Sequence, residues 1–105
     1  MIVTYGERKI EQGKETAFED LWRRMQAVAA AQPGFIGARL LKSENHGGVY
    51  ATIEYWESQE QQKEAYAADE MRTIALELIT NRMTRQAPIT EYCAVVATAG
   101  AVPSH

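Results

Sequence analysis

The chain has 105 residues, 46% of them apolar and 24% charged, and its 11 basic and 14 acidic side chains leave a formal charge of −3. At this length folding buries roughly 60 to 65% of the unfolded surface, which sustains one modest core and excludes two independent ones. The acidic balance argues against a nucleic-acid or anionic-membrane partner, the single cysteine excludes an intramolecular disulfide and a multi-cysteine metal site, and no apolar run approaches the ~20 residues that cross a bilayer.

Residues 2–10 (Ile-Val-Thr-Tyr-Gly-Glu-Arg-Lys-Ile) are rich in β-branched and aromatic types and run into the turn signal Glu11-Gln12-Gly13, so a first strand is predicted there. From Glu15 to Ala31 the apolar residues Ala17, Phe18, Leu21, Trp22, Met25, Val28 and Ala29 recur every three or four positions, placing them on one stripe of a helix. Glu15, Glu19, Asp20, Arg23, Arg24 and Gln26 are assigned to its solvent side, and Pro33-Gly34 stops it. Phe35 to Lys42 reads as a second strand, Ser43 to Gly48 as a hairpin loop, and Val49 to Trp56 as a third strand. Ser58 followed by Gln61 is a capping-box pattern that starts a second helix, running to about Ala68. Asp69 then caps a further helical segment with Met71, Ile74, Ala75, Leu78 and Ile79 on one stripe. Asn81 to Pro88 is read as loop, Ile89 to Thr98 as the last strand, and 99–105 as a mobile small-residue tail after a single domain over 1–98. The N-terminus has no basic segment followed by an apolar stretch and a small-residue cleavage site, so a cytoplasmic protein is expected.

Strand, helix, two-stranded hairpin, helix, strand is the split βαββαβ order of ferredoxin-like α+β folds: a four-stranded antiparallel sheet with the helices on one face. Along the third strand Tyr50, Thr52, Glu54 and Trp56 share one side, and Val49, Ala51, Ile53 and Tyr55 the other. With helices on one face only, the second set forms an apolar patch that calls for a partner surface. A second copy of the chain packed face to face is the expected occupant.

Two stretches carry a family likeness. Pro33-Gly34-Phe35-Ile36-Gly37-Ala38-Arg39-Leu40-Leu41, entering the second strand, and Ile53-Glu54-Tyr55-Trp56-Glu57-Ser58, crossing from third strand to second helix, resemble the antibiotic biosynthesis monooxygenase family of dimeric α+β barrels. The resemblance covers roughly residues 2–96. It implies a homodimer and a cofactor-independent monooxygenase acting on a small electron-rich aromatic, polyketide- or quinol-like. It also leaves open a non-redox isomerase or cyclase of the same fold, or a ligand-binding or structural homodimer without catalysis. In oxygenase branches the tryptophan of this motif lies against the substrate, which makes Trp56 a candidate pocket wall. The asparagine such enzymes carry four residues earlier is Thr52 here, a hydroxyl that can donate one hydrogen bond to a substrate oxygen. Haem ligation as in the haem-degrading branch is not expected, because the first strand offers Thr4, Gly6 and Glu7 and no histidine occurs between His46 and His105.

Glu54 shares the face of Thr52 and Trp56 and is the candidate general base, so these three form the predicted catalytic set. Tyr50, Trp22 and Tyr5 are candidate aromatic lining, and Arg72 a candidate to hold a phenolate or carboxylate. His46, in a glycine-rich loop, and Cys93, in an apolar strand, are given no catalytic role. No glycine-rich phosphate loop, His/carboxylate cluster or serine-triad order occurs, so no cofactor and no metal is expected.

Overall fold

The computed structural model describes residues 1–85 and 89–101. Its elements are β1 (Ile2–Lys9), α1 (Glu15–Ala30), β2 (Phe35–Lys42), β3 (Val49–Trp56), α2 (Gln59–Ala67), α3 (Asp69–Ala75), α4 (Glu77–Thr80) and β4 (Ile89–Cys93). The strands form one antiparallel sheet in the order β2-β3-β1-β4. The sheet is open, with β2 and β4 as its edges, and this is the ferredoxin-like α+β arrangement that the element order predicts.

Register fixes the two faces, because directly paired residues of antiparallel strands share a side. Thr4 stands opposite Glu54 and Tyr92, and Gly6 opposite Thr52 and Thr90. Tyr5 stands opposite Ile53 and Glu91, on the other side. Helices cover the first face: Phe18, Leu21, Val28 and Ala29 of α1, Ala65 of α2 and Met71 of α3 are buried together with Tyr50 and Trp56 of β3. They form two apolar clusters, one around Ile10, Phe18, Leu21, Tyr50 and Met83, the other around Val28, Ala29, Trp56, Ala65 and Met71, and both draw in Met25 and Ile74. On β3, Thr52 and Glu54 lie between Tyr50 of the first cluster and Trp56 of the second.

Several boundaries differ from the sequence reading. Ile10 leaves the first strand and makes an isolated bridge to Thr84, while Met83, read as loop, is 4% exposed in the core. Ala31 is the C-cap of α1 rather than its last residue. Ser58 does cap α2, its hydroxyl accepting from the Gln61 N–H at 3.2 Å. Asp69 is not a cap. Ala68 occupies that position in an extended conformation (ψ 139°), so the chain turns before α3 and brings Met71 into the core. The expected single stripe from Met71 to Ile79 is broken at Leu76, which leaves Leu76 57% and Ile79 73% exposed. The last strand ends at Cys93, paired with Val3, short of the predicted Thr98. Part of the predicted loop (86–88) and of the tail (102–105) lies outside the described residues. No described helix is long and apolar enough to cross a membrane.

Candidate active site

Only three polar residues are buried among the described residues, namely Thr4, Glu54 and Gln62, and all three line one cavity. Its volume is about 430 Å³, within the range of small-molecule sites. The floor is the helix-covered face of the sheet: Thr4 and Arg8 from β1, Thr52 and Glu54 from β3, Thr90 and Tyr92 from β4. The roof is Gln62, Lys63, Tyr66 and Ala67 of α2 with Arg72 of α3.

Glu54 is the hub. Its Oε1 accepts from Trp56 Nε1 at 2.8 Å, and its Oε2 accepts from Gln26 Nε2 at 2.8 Å and from the Tyr66 hydroxyl. Three donors drawn from α1, β3 and α2 converge on an acceptor-only group, the match a buried carboxylate needs. Two donors occupy Oε2 and one occupies Oε1, which leaves Oε1 an open acceptor position. Burial, reinforced by the charge and hydrogen bond of Glu54, pushes the Tyr66 phenol well above the ordinary tyrosine range, so it stays a protonated donor. A second polar link crosses the cavity mouth, where the Tyr92 hydroxyl donates to Gln62 Oε1 at 2.8 Å.

Arg8 is half-buried at the floor. Its Nη1 donates to two backbone oxygens, Glu7 O at 3.0 Å and Ile89 O at 3.5 Å. Burial lowers its pKa from the ordinary arginine value, opposed by the nearby Tyr66 and Glu54, and a guanidinium remains cationic under such shifts.

The predicted site residues divide. Thr52, Glu54 and Arg72 line this cavity. Trp56 does not. It is fully buried, packed edge-on against Phe35 with ring centroids 5.2 Å apart, and touches the site through its N–H to Glu54. Tyr50 and Trp22 line a separate hollow of about 350 Å³ between α1 and β2, where the Tyr50 hydroxyl donates to Glu19 Oε2 at 2.6 Å. Tyr5 belongs to the opposite face of the sheet. The sequence reading passed over Arg8, Thr4, Gln26 and Gln62. Gln26 had been assigned to the solvent side of α1, yet it is half-buried and reaches Glu54. Strand parity was the available signal for Arg8 and Thr4, since both share the side of Gly6, whose partner is Thr52. Among the described residues no group of three His, Cys, Asp or Glu side chains is placed to hold a metal ion.

The family model described as antibiotic biosynthesis monooxygenase matches residues 1–75. No curated protein sequence matches the chain. Among solved structures, the chain is similar to SnoaB, a cofactor-independent oxygenase from Streptomyces nogalater, with a TM-score of 0.82 and 21% identity over 92% of this chain and 94% of that one. It is also similar to a protein from Caulobacter crescentus assigned to the same monooxygenase family (TM-score 0.78, 25% identity, 91% and 90% covered). A protein from Mycobacterium tuberculosis superposes with a TM-score of 0.79 at 14% identity, covering 94% and 98% of the two chains. These likenesses speak to the fold. The family model spans β1 through α3 and takes in every cavity residue except Thr90 and Tyr92, and the chain belongs to the antibiotic biosynthesis monooxygenase family.

Proposed function

We propose that the protein is a cofactor-independent monooxygenase of a small electron-rich aromatic, a hydroxylated polyketide or quinol, working in the cytoplasm as a homodimer. The observation that carries the reading is the convergence of all three buried polar residues on one cavity, with the Glu54 carboxylate fixed at its floor. Family membership and the likeness to a cofactor-independent oxygenase support it.

The chemistry follows from what the cavity offers. Glu54, through its open Oε1 position, takes a proton from a ring CH2 acidified by a neighbouring phenol or ketone. The resulting anion gives electrons to dioxygen and couples with it to a peroxide. Glu54 returns its proton to the peroxide, and loss of water with the second C–H hydrogen leaves a carbonyl: CH2 plus O2 becomes C=O plus H2O. Thr52 donates to the developing substrate oxyanion, and Trp56 holds Glu54 in place from behind rather than meeting the ring. The second copy would cover the open sheet face. There Val49, Ala51, Ile53 and Tyr55 are joined by Leu41, which pairs with Ala51 and is 46% exposed, and by Ile89, which pairs with Glu7 and is 51% exposed.

An oxygen electrode tests the reading. Purified protein with no added cofactor should consume dioxygen stoichiometrically with a hydroxylated naphthacenone or a naphthoquinol, and Glu54→Gln should bind the same compound while losing about 10²-fold or more of the rate. Product formation without oxygen uptake would replace the oxygenase with an isomerase or cyclase, and unchanged turnover in Glu54→Gln would remove Glu54 from the chemistry.

A further inference from the structure

The cavity lining carries more positive than negative charge. Three cations elsewhere are paired with acids: Arg23 with Asp20, Arg24 with Glu77 and Lys42 with Glu19. The cavity holds Arg8, Lys63 and Arg72 against the single carboxylate of Glu54, and among the described residues none of these three cations forms an ion pair. A chain with a formal charge of −3 thus keeps an excess of positive charge in this cavity.

Arg8 is the most telling of the three. One of its nitrogens is tied to backbone oxygens, and among the described residues Nε and Nη2 have no hydrogen-bond acceptor. Four residues back along β1, Thr4 Oγ1 is buried, lines the cavity and has no partner either among the described residues. Between them lies Gly6. A methyl group built there would stand 2.8 Å from Thr52 Oγ1, 3.1 Å from Arg8 Nη1 and 3.5 Å from Ile89 O, so only glycine lets the hydroxyl and the guanidinium approach the β1 backbone this closely. An oxygen over Gly6 takes a hydrogen bond from the Thr52 hydroxyl and lies against the guanidinium charge of Arg8, whose Nη1 is already committed to backbone and whose Nε and Nη2 remain to donate, with Thr4 one register step along the same strand.

We propose that this cavity selects its ligand as a planar, delocalised oxyanion, an ionised hydroxyquinone or an aromatic carboxylate, seated over Gly6 between Arg8 and Thr52, with Arg8 as the specificity-determining residue. The proposal rests on the reading of the cavity as the substrate site and adds the charge state in which the substrate is taken. Seating the anionic oxygen at Arg8 directs the rest of the ring system along the floor toward Glu54 and Tyr66. Lys63 and Arg72 sit at the exposed roof and contribute attraction that salt screens. Arg8, half-buried on the floor, is screened less.

Calorimetric titration near neutral pH with two matched pairs tests this: lawsone, an ionised hydroxynaphthoquinone, against its neutral methyl ether, and naphthoate against neutral naphthamide. Wild type should bind the anion of at least one pair about 10-fold to 100-fold more tightly, the size of a charge-assisted hydrogen bond. The pair that discriminates identifies the oxyanion. Arg8→Gln should abolish the preference while leaving affinity for the neutral member within about twofold, and Arg8→Lys should restore part of it. Equal wild-type affinities in both pairs would overturn the proposal, a comparison that needs no variant to fold. A preference that survives Arg8→Gln would overturn it as well. Anion preference without oxygen uptake supports this proposal and counts against the oxygenase reading, whereas oxygen uptake with anion and neutral analogue bound alike does the reverse.

Discussion

Two substitutions at Glu54, one to glutamine and one to methionine, separate what its charge does from what its hydrogen bonds do. The carboxylate takes bonds from Trp56 Nε1, Gln26 Nε2 and the Tyr66 hydroxyl. Glutamine keeps one acceptor oxygen, which can serve Trp56, whose indole N–H can only donate. Its amide nitrogen then faces Gln26 and Tyr66, and both can reverse. Gln26 Oε1 is buried with no partner, and a phenol oxygen accepts as well as donates. The network closes again, so Glu54→Gln should cost about 1 kcal/mol or less. Methionine has similar length and flexibility but no useful acceptor. It leaves the Trp56 N–H unsatisfied and Gln26 and Tyr66 with only each other, and a buried orphaned donor costs about 1–3 kcal/mol. Both variants remove the charge, so the desolvation it carries cancels between them. Glu54→Met should therefore lie about 2 kcal/mol below Glu54→Gln, a gap of about 8–16 °C in Tm for a domain of this size, read by circular dichroism melts at one protein concentration. Equal Tm values, or a glutamine variant less stable than the methionine one, would refute the assignment of these three donors to the carboxylate.

Other consequences concern the frame around the site. The Tyr50 hydroxyl and then Lys42 hold Glu19 below the usual carboxylate range against a smaller opposing effect of burial, so this contribution is present above the unfolded glutamate pKa and lost as pH falls through the lowered folded value. Urea midpoints should accordingly fall more steeply between about pH 5 and pH 3 in wild type than in Tyr50→Phe, and parallel curves would disprove the link. Gly48 has φ +76° and a Cβ there would meet Ile10 O at 2.5 Å, whereas nothing lies within 4 Å of a Cβ at Gly47. Gly48→Ala should lose about 2 kcal/mol or more and Gly47→Ala less than about 0.5 kcal/mol, measured by denaturant titration. Ile53→Asp should dissociate the proposed dimer or unfold the chain, while a wild type that sediments as a folded monomer at micromolar concentration would rule that dimer out.

The succession of strands and helices, helix entry at Ser58 and the face shared by Thr52 and Glu54 were legible because each depends on a local rule: apolar periodicity, a capping side chain, or alternation in a strand. Trp56 was the harder residue. Parity gives its side of the sheet, but whether an indole faces a cavity or fills a corner depends on Phe35, Ala65 and Met71, which arrive from other elements. Gln26 misled for a related reason, since a lone amide on a helix reads as solvent-facing until a buried carboxylate across the interface supplies its partner. The break at Ala68 was illegible because alanine favours helix; the turn there is imposed by burial of Met71 rather than by the residue itself.

The order β2-β3-β1-β4 makes β1 and β3 interior strands, each paired on both sides, and these carry Thr4, Gly6, Arg8, Thr52 and Glu54. Of the other lining residues, Lys63, Ala67, Arg72, Thr90 and Tyr92 are all exposed, on two helices and an edge strand. Surface positions of that kind typically tolerate substitution within about 0.5 kcal/mol, whereas the β1 and β3 part of the floor is bound into the interior of the sheet and the Glu54 network. A library confined to those five positions would thus alter which ring systems the cavity admits while the proton acceptor and the oxyanion seat stay where the sheet puts them. The fit to the ring system is thus adjustable apart from the strands that carry the proton acceptor and the oxyanion seat.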